Sequence, residues 1–418
     1  MLTKLRLTNF KGFKDAELTL GEFTLLVGTN ASGKSNIRDA LRFLHGIGLG
    51  YSVADIIGEK YESGILQWSG IRGGTRELTF QGAATFTIEA FFALEIDDVE
   101  REVIYKIEIN PGGQNNTSNT VKSPFVVAES LFLPKLNKTI FKIDNHLSVE
   151  FYDEDQASFL DFTKPVIANR IYAQSLQNLK LKSYLLSQSL ETVVKHLKAL
   201  NFLDLEPERI RQPSFPGQNV LGDRGENLSS VLFEICQDPQ RKEALLEWVQ
   251  ELTPMDAKDF EFPSDFTGKV LLTLVEGSGQ RISAYSASDG TLRFLAMLAA
   301  LLGSEPAQFY FFEELDNGIH PTRLHLLLEL IEQKVSEGKI QMVATTHSPQ
   351  LLRLLSSKSL ESASLTYRLP EHPDAKIQRI LDIPDAKRLI EKGDLADLHE
   401  SGWLENAMYF LDDEDASE

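Results

Sequence analysis

Gly28, Gly33, Lys34 and Ser35 stand in the spacing G-x-x-x-x-G-K-S, with Thr29, Asn30, Ala31 and Ser32 between the glycines. Between a strand and a helix, this spacing makes a phosphate cradle. The loop's backbone N–H groups and the positive end of the following helix face anionic oxygens. In that chemistry Lys34 reaches the β- and γ-phosphates of a triphosphate, and the Ser35 hydroxyl holds Mg²⁺. The apolar run Phe23, Thr24, Leu25, Leu26, Val27 predicts the strand that enters the loop. Residues 36–44 predict the helix that leaves it.

Three later groups could complete such a site. Phe311 and Phe312 end an apolar strand predicted over 308–312, and Glu313 and Glu314 follow at its carboxyl edge. There the first carboxylate can join a metal shell and the second can polarise an attacking water. A glutamate at 313 carries its carboxylate one methylene further out than an aspartate would. Ala287, Ser288, Asp289, Gly290 and Thr291 open a helix predicted over 288–303. Ser288 is a good N-cap, Gly290 allows close backbone approach, and the helix start is suited to an anion. Because one phosphate cradle already exists in cis, this second one suits the γ-phosphate of a partner. His347, within Thr345-Thr346-His347-Ser348-Pro349, follows a strand predicted over 339–344. It can donate a hydrogen bond to a γ-phosphate or to the attacking water. Taken singly, these features also read as a solvated strand end, an ordinary capped helix and an incidental loop histidine.

The elements that must position these groups fall into blocks. Residues 3–7 alternate as a half-buried strand does. Residues 45–74, rich in Gly and Ser, read as surface loops. Strands are predicted over 76–80, 85–96, 103–109, 125–132 and 139–151, with the clearest turn at 111–116, which suggests an antiparallel meander. A helical period covers about 157–202, with Leu186, Leu190, Val193, Leu197 and Leu200 in one apolar stripe that packs on its own domain more readily than in a coiled-coil arm. A loop over 207–225 and helices over 227–236 and 240–252 come next. From 268 onward a strand over 270–274, the helix over 288–303, the strand over 308–312, a helix over 322–337 and the strand over 339–344 alternate. That order argues for an α/β core with a largely parallel sheet. The expected domains are a first lobe over 1–153, a helical insertion over 154–255, a second lobe over 256–370 and a C-terminal extension over 371–418.

The chain has 418 residues, 42% hydrophobic and 25% charged, and a net charge of −19. The average field repels duplex DNA, so a nucleic-acid contact would need a local basic patch, for which Lys195, Lys198, Arg209 and Arg211 are candidates. Scattered solvated charge is the competing reading. The acidic end over 411–418 reads as a solvated tail. Cys236, the single cysteine, reads as a buried small hydrophobe. No apolar stretch is long enough to span a bilayer and the N-terminus lacks a secretory pattern, so a cytoplasmic protein without a membrane contact is expected.

The order of these motifs resembles the ABC-class ATPases, in the branch that holds the RecF, SMC and OLD (overcoming lysogenization defect) proteins. Asn9-Phe10-Lys11-Gly12-Phe13, the run from Ser288 to Phe294, Asn317-Gly318-Ile319-His320-Pro321 and Thr346-His347-Ser348-Pro349 are similar to that branch's signatures. The resemblance covers about 1–110 and 220–350 well and the middle poorly. It implies a P-loop NTPase head of ABC type: a mixed sheet with helices, an antiparallel β lobe and a short helical insertion. It implies that Gly28, Asn30, Ser32, Gly33, Lys34, Ser35 and Asn36 bind ATP, and that Ser35 and Glu313 hold Mg²⁺. Lys34, Glu314 as base and His347 as switch would be catalytic. Ser288 and Gly290 would contact ATP on the other subunit of an ATP-dependent homodimer or higher oligomer, with Asn317 and Gly318 in a subunit-crossing loop. Gln67 and Gln81 are both candidates for the glutamine such sites carry. The helical insertion is too short for SMC-type arms, and too little chain follows His347 for a fused TOPRIM nuclease. Asp394, Asp397 and Glu400 read as a solvated helix face. A separately encoded effector, such as a TOPRIM-like nuclease, is therefore the expected partner, with nucleic acid as a further one, in DNA transactions or phage defence. The segment 395–404 looks like the tail of compact bacterial ATPases encoded beside a small partner. A non-hydrolysing, ATP-bound scaffold is the alternative; a small-molecule kinase explains neither Ser288 nor His347.

Overall fold

The computed structural model describes residues 1–96, 98–114, 121–143, 149–151, 154–155, 164–165, 167, 184–252, 256–319, 321–369, 372–383, 386 and 388. The acidic end, the segment 395–404, the carboxylates at 394, 397 and 400, His320 and the start of the long helical segment lie outside them.

In β1 (Leu2–Phe10), Leu2, Leu5, Leu7 and Phe10 are buried and the residues between them face outward. The strand pairs antiparallel with β2 (Phe13–Thr19). The turn joining them holds Lys11 at φ 51°. β3 (Phe23–Val27) is buried along its whole length, as a central parallel strand should be. It leads through residues 28–33 into helix α1 (Lys34–Gly48). The stretch expected as surface loop is instead structured. A short helix, Val53–Ile57, is fixed by a reciprocal capping box between Ser52 and Asp55. The hairpin β4 (Lys60–Glu62) and β5 (Ile65–Trp68) turns on Ser63 and Gly64, both at positive φ.

The strand expected over 76–80 is absent. Two 3₁₀ turns, Gly74–Arg76 and Phe80–Gly82, take its place, because Gly73, Gly74, Gln81 and Gly82 all adopt positive φ and only Thr79 bridges to Phe10. β6 (Phe86–Ile96) and β7 (Val99–Asn110) form a long hairpin, followed by the small pair β8 (Gly113–Gln114) and β9 (Val121–Lys122). Then come β10 (Phe125–Leu133), β11 (Lys138–Ile143), β12 (Val149–Phe151) and β13 (Glu154–Asp155). The stretch 139–151 is thus two strands rather than one. The eight-stranded sheet runs β13-β12-β11-β10-β7-β6-β1-β2, antiparallel at every pairing, which is the expected meander.

The apolar stripe divides differently from its helical period. Leu190, Val193 and Leu197 are buried on the helix Tyr184–Lys198, but Leu200 opens a strand, β14 (Leu200–Leu203). That run pairs parallel with the strand at Phe309–Phe312, and the sheet outcompetes one more helical turn. The helices Leu228–Cys236 and Pro239–Leu252 follow. β15 (Ala257–Glu261), β16 (Thr273–Glu276) and β17 (Arg281–Ser283) make a small antiparallel sheet; the strand expected from 270 starts at Thr273, and Val270 only bridges Ser214 and Ser264.

After the helix Asp289–Leu302 come β18 (Phe309–Phe312), the helix Pro321–Ser336, β19 (Gln341–Thr346), β20 (Ser364–Arg368) and β21 (Ala375–Arg379). The central sheet has the order β14-β18-β19-β3-β20-β21, with only the last pair antiparallel. Its two faces feed two cores. Leu26, Phe309, Phe311 and Val343 pack with α1 and the meander. Leu25, Val27, Tyr310, Phe312, Met342 and Ala344 pack with the helices Asp289–Leu302 and Pro321–Ser336. β3, β18 and β19 run in the same direction, so their carboxyl ends, where residues 28, 313 and 347 begin the loops, share one edge.

Candidate nucleotide site

Each of the loop's glycines has a steric reason. A Cβ on Gly28 would lie 2.4 Å from the Thr366 carbonyl oxygen. Gly33 sits at φ 111°, and a Cβ there would meet the Phe13 ring at 2.7 Å. Gly33 is also the N-cap of α1 and gives it no side-chain cap, so the first turn's N–H groups are not taken by a capping side chain. Ser32 is buried with its Oγ 2.7 Å from Thr366 Oγ1. Asn30 is exposed, while Ser35 and Asn36 are half-buried.

Lys34 is folded back onto the loop, donating to the carbonyl oxygens of Gly28 and, at 2.9 Å, Thr29. Burial pushes its ammonium down to about 8, against the pull of the Glu314, Asp316 and Glu313 carboxylates. Its Nζ also lies 3.3 Å from His347 Nδ1. That nitrogen is 3.1 Å from Gly28 O, so it either donates to the carbonyl or accepts from the lysine. His347 Nε2 stands 3.6 Å from Glu314 Oε1.

Glu314 has φ 51°, in the left-handed region that glutamate rarely adopts. It is held there by two bonds across to β19: Glu314 N donates to Thr345 Oγ1 at 2.9 Å, and Leu315 N to Thr345 O at 2.9 Å. Asn317 Nδ2 donates to Glu314 Oε2 at 3.0 Å. Glu313 turns the other way. Its N–H donates to Leu203 O at 3.1 Å, and its carboxylate lies 3.3 Å from Arg38 Nη1. Burial holds the Glu313 carboxyl above its usual range, with Arg38 opposing.

Ser288 caps the helix Asp289–Leu302 as expected: its Oγ accepts from Thr291 N at 3.1 Å and lies 2.8 Å from Thr291 Oγ1. Gly290 packs on the backbone of Gly318. The contacts therefore run in one line, Lys34 to His347 to Glu314 to Asn317, with Gly318 next in the chain and against Gly290. Lys34, His347, Glu314 and Asn317 are brought together directly; the hydrogen bonds of Ser288 stay within its own helix start.

Several residues here carried no sequence signal of their own. Arg38 and Asp39 fall one turn after Lys34 and Ser35 on α1, a spacing that could have marked them. Asp39 is buried and paired with Lys11 and, at 3.4 Å, with Arg72, which also donates to Ser35 O at 3.0 Å. Thr345 and Thr366 come from the distant strands β19 and β20, and Asp204 from the loop after β14. Of the candidate basic patch, Arg211 donates to Asp289 Oδ1 at 2.6 Å and to Ala287 O at 3.1 Å, and Arg209 pairs with Glu206. Lys195 and Lys198 are exposed, as are Gln67 and Gln81. Among the described residues no group of three or more His, Cys, Asp or Glu side chains could hold a metal by itself. A Mg²⁺ bound here would take its other ligands from phosphate and water, as that ion commonly does. A hydroxyl and a carboxylate are oxygen donors of the right kind, so Ser35 and Glu313 fit it, with Arg38 as a competitor. Among the described residues no helix is long and apolar enough to cross a membrane.

A crystal structure of an Smc head bound to the C-winged helix domain of ScpA matches with TM-score 0.50 at 15% identity, over 90% of this chain and 97% of that one. The SMC head domain from Thermotoga maritima matches with TM-score 0.40 at 13% identity, over 91% and 98%. The Smc head domain with an extended coiled coil, bound to the C-terminal domain of ScpA derived from Pyrococcus furiosus, gives 0.43 at 16%, over 94% and 98%. No curated protein matches the chain. Residues 23–353 match the family described as "AAA domain, putative AbiEii toxin, Type IV TA system". With the P-loop, the acid pair and His347 gathered at one edge of a sheet whose fold is similar to that of an Smc head, the chain belongs to this AAA-domain family.

Proposed function

We propose that the protein binds and hydrolyses ATP between two copies of itself, and that the closed pair acts as a nucleotide-driven switch on a separately encoded effector. The observation that carries this reading is the contact line from Lys34 through His347 to Glu314 and Asn317. It supports the reading by gathering an ammonium, an imidazole and a carboxylate beside the loop at 28–33, the groups that a triphosphate bound there would need.

In this reading Gly28, Asn30, Ser32, Gly33, Lys34 and Asn36 hold the phosphates. Ser35 and Glu313 would hold Mg²⁺, which would supply neutralisation of phosphate charge. Glu314 takes the proton of the attacking water, and His347 orients that water and the γ-phosphate. Ser288 and Gly290 complete the partner copy's site, and Asn317 and Gly318 cross between the copies. The Smc head of similar fold is bound to a domain of a second protein, ScpA; we propose an analogous arrangement here, with a nuclease of TOPRIM type as the effector and a role in phage defence or DNA transactions.

The test is Glu314→Gln. Phosphate release should fall by roughly a hundredfold or more. ATP should meanwhile hold the variant in a larger species on a light-scattering column. Unchanged turnover removes Glu314 from its role. A second reading, a scaffold that holds ATP without hydrolysing it, is favoured by the ion pair that occupies Glu313. It requires the wild-type protein to retain nucleotide and release no phosphate.

A further inference from the structure

Arg38 lies one turn beyond Lys34 on α1 and is 9% exposed. Its Nη1 is 3.3 Å from Glu313 Oε2, and its Nη2 is 3.9 Å from Asp204 Oδ2. The Glu313 side chain is 16% exposed and that of Asp204 49%. Arg38 Nε is buried with no hydrogen-bond partner among the described residues. Three elements fix this arrangement: α1 carries the arginine, Asp204 follows the last residue of β14, and Glu313, just after β18, donates its N–H to Leu203 O of β14. A guanidinium is always charged and presents its donors in a rigid fork, so it can neutralise a carboxylate at the position a metal ion would otherwise serve.

We infer that Arg38 is the resident counter-cation of Glu313 and sets how far nucleotide binding depends on a divalent metal. The inference rests on the reading of residues 28–35 as a triphosphate site. A buried carboxylate beside a triphosphate repels it unless a cation stands between them or beside it. Arg38 supplies that cation from within the fold, so the phosphates can bind before any metal does. The same guanidinium competes with a metal for Glu313. Asp204, half exposed, offers Arg38 a second acceptor when Glu313 engages the metal.

The probe is a fluorescent methylanthraniloyl-ATP, titrated in EDTA and in Mg²⁺, with Mn²⁺ binding read separately by electron paramagnetic resonance. Wild-type affinity in EDTA should stay within about tenfold of that in Mg²⁺. Arg38→Gln should weaken binding in EDTA by roughly tenfold or more, recover it in Mg²⁺, and bind Mn²⁺ more tightly than wild type. Arg38→Lys, which keeps the charge, should restore binding in EDTA. If Arg38→Gln does not fold, the variant Arg38→Gln with Glu313→Gln removes both charges; it should bind the probe in EDTA like wild type and bind Mn²⁺ more weakly. An equal ratio of EDTA to Mg²⁺ affinities in wild type and Arg38→Gln overturns the inference, as does wild-type Mn²⁺ binding in the double variant. A wild-type protein that takes the probe in neither buffer overturns the triphosphate reading itself and the inference with it.

Discussion

Gly290 and Gly318 touch backbone to backbone: a Cβ on Gly290 would lie 2.0 Å from the Gly318 carbonyl oxygen. Gly318 holds φ 79°, a conformation that glycine adopts without strain. The start of the helix Asp289–Leu302 is thereby seated on the loop that carries Asn317, and Asn317 in turn holds Glu314. A change at the start of the helix Asp289–Leu302 reaches the carboxylate through two contacts.

Gly290→Ala should separate that pair, because carbonyl backbone cannot give way as a flexible side chain can. The expected cost is about 1–3 kcal/mol, seen as a lower melting temperature. ATP-dependent association should be lost as well. A variant that melts and associates like wild type would show that the two backbones do not meet.

Nucleotide affinity should fall as pH rises through about 8, the value to which burial brings the Lys34 ammonium. The sign follows from linkage. Phosphate favours the charged amine, so binding above that pH must take up a proton, while below it the proton is already there. The loss is at most about tenfold per pH unit. Titrations of a fluorescent ATP between pH 7 and 9.5 check it, with Lys34→Met expected to bind weakly and without this slope.

Thr366→Val keeps the shape of a buried side chain but removes the hydroxyl that meets Ser32 Oγ at 2.7 Å and donates to Val27 O at 3.3 Å. Leaving Ser32 Oγ without that partner should cost about 1–3 kcal/mol. The loop should loosen, so nucleotide affinity should drop together with stability. Denaturant unfolding and the same fluorescent titration read the two effects.

Cys236 is partly buried, and desolvation pushes its thiol up to about 12. The native protein at pH 8 should react with an aromatic disulfide reagent roughly a hundredfold or more slower than the urea-unfolded chain. Fast reaction in the native state would contradict the packing of the helix Leu228–Cys236. The expectation of a buried, inert cysteine is tested by the same measurement.

Local pattern made much of this protein legible. The glycine spacing at 28–33, the five-residue apolar strand before it and the acid pair after Phe312 are contiguous signals. The central parallel sheet and the antiparallel meander follow from short-range periodicity. Where the reading failed, a long-range contact or the backbone conformation of flanking residues had outweighed the apolar pattern. Leu200 continues a helical stripe in sequence, yet β18 offers it a parallel partner. Residues 76–80 alternate like a strand, yet neighbouring positive-φ residues leave only Thr79 a bridge. Val270 begins an apolar run but spends its hydrogen bonds on Ser214, two helices upstream.

The sequence by itself determined that a glycine-rich loop, two acids and a histidine would sit at the ends of buried strands, because each is written next to the apolar run that carries it. Only the tertiary structure decided which way the two glutamates face. Glu314, held at positive φ by Thr345, turns toward His347 and Asn317; Glu313 turns toward Arg38 and the end of β14. The partners of each carboxylate come from segments far apart in the chain, and side-chain charge acts over ångströms in space rather than over positions in sequence.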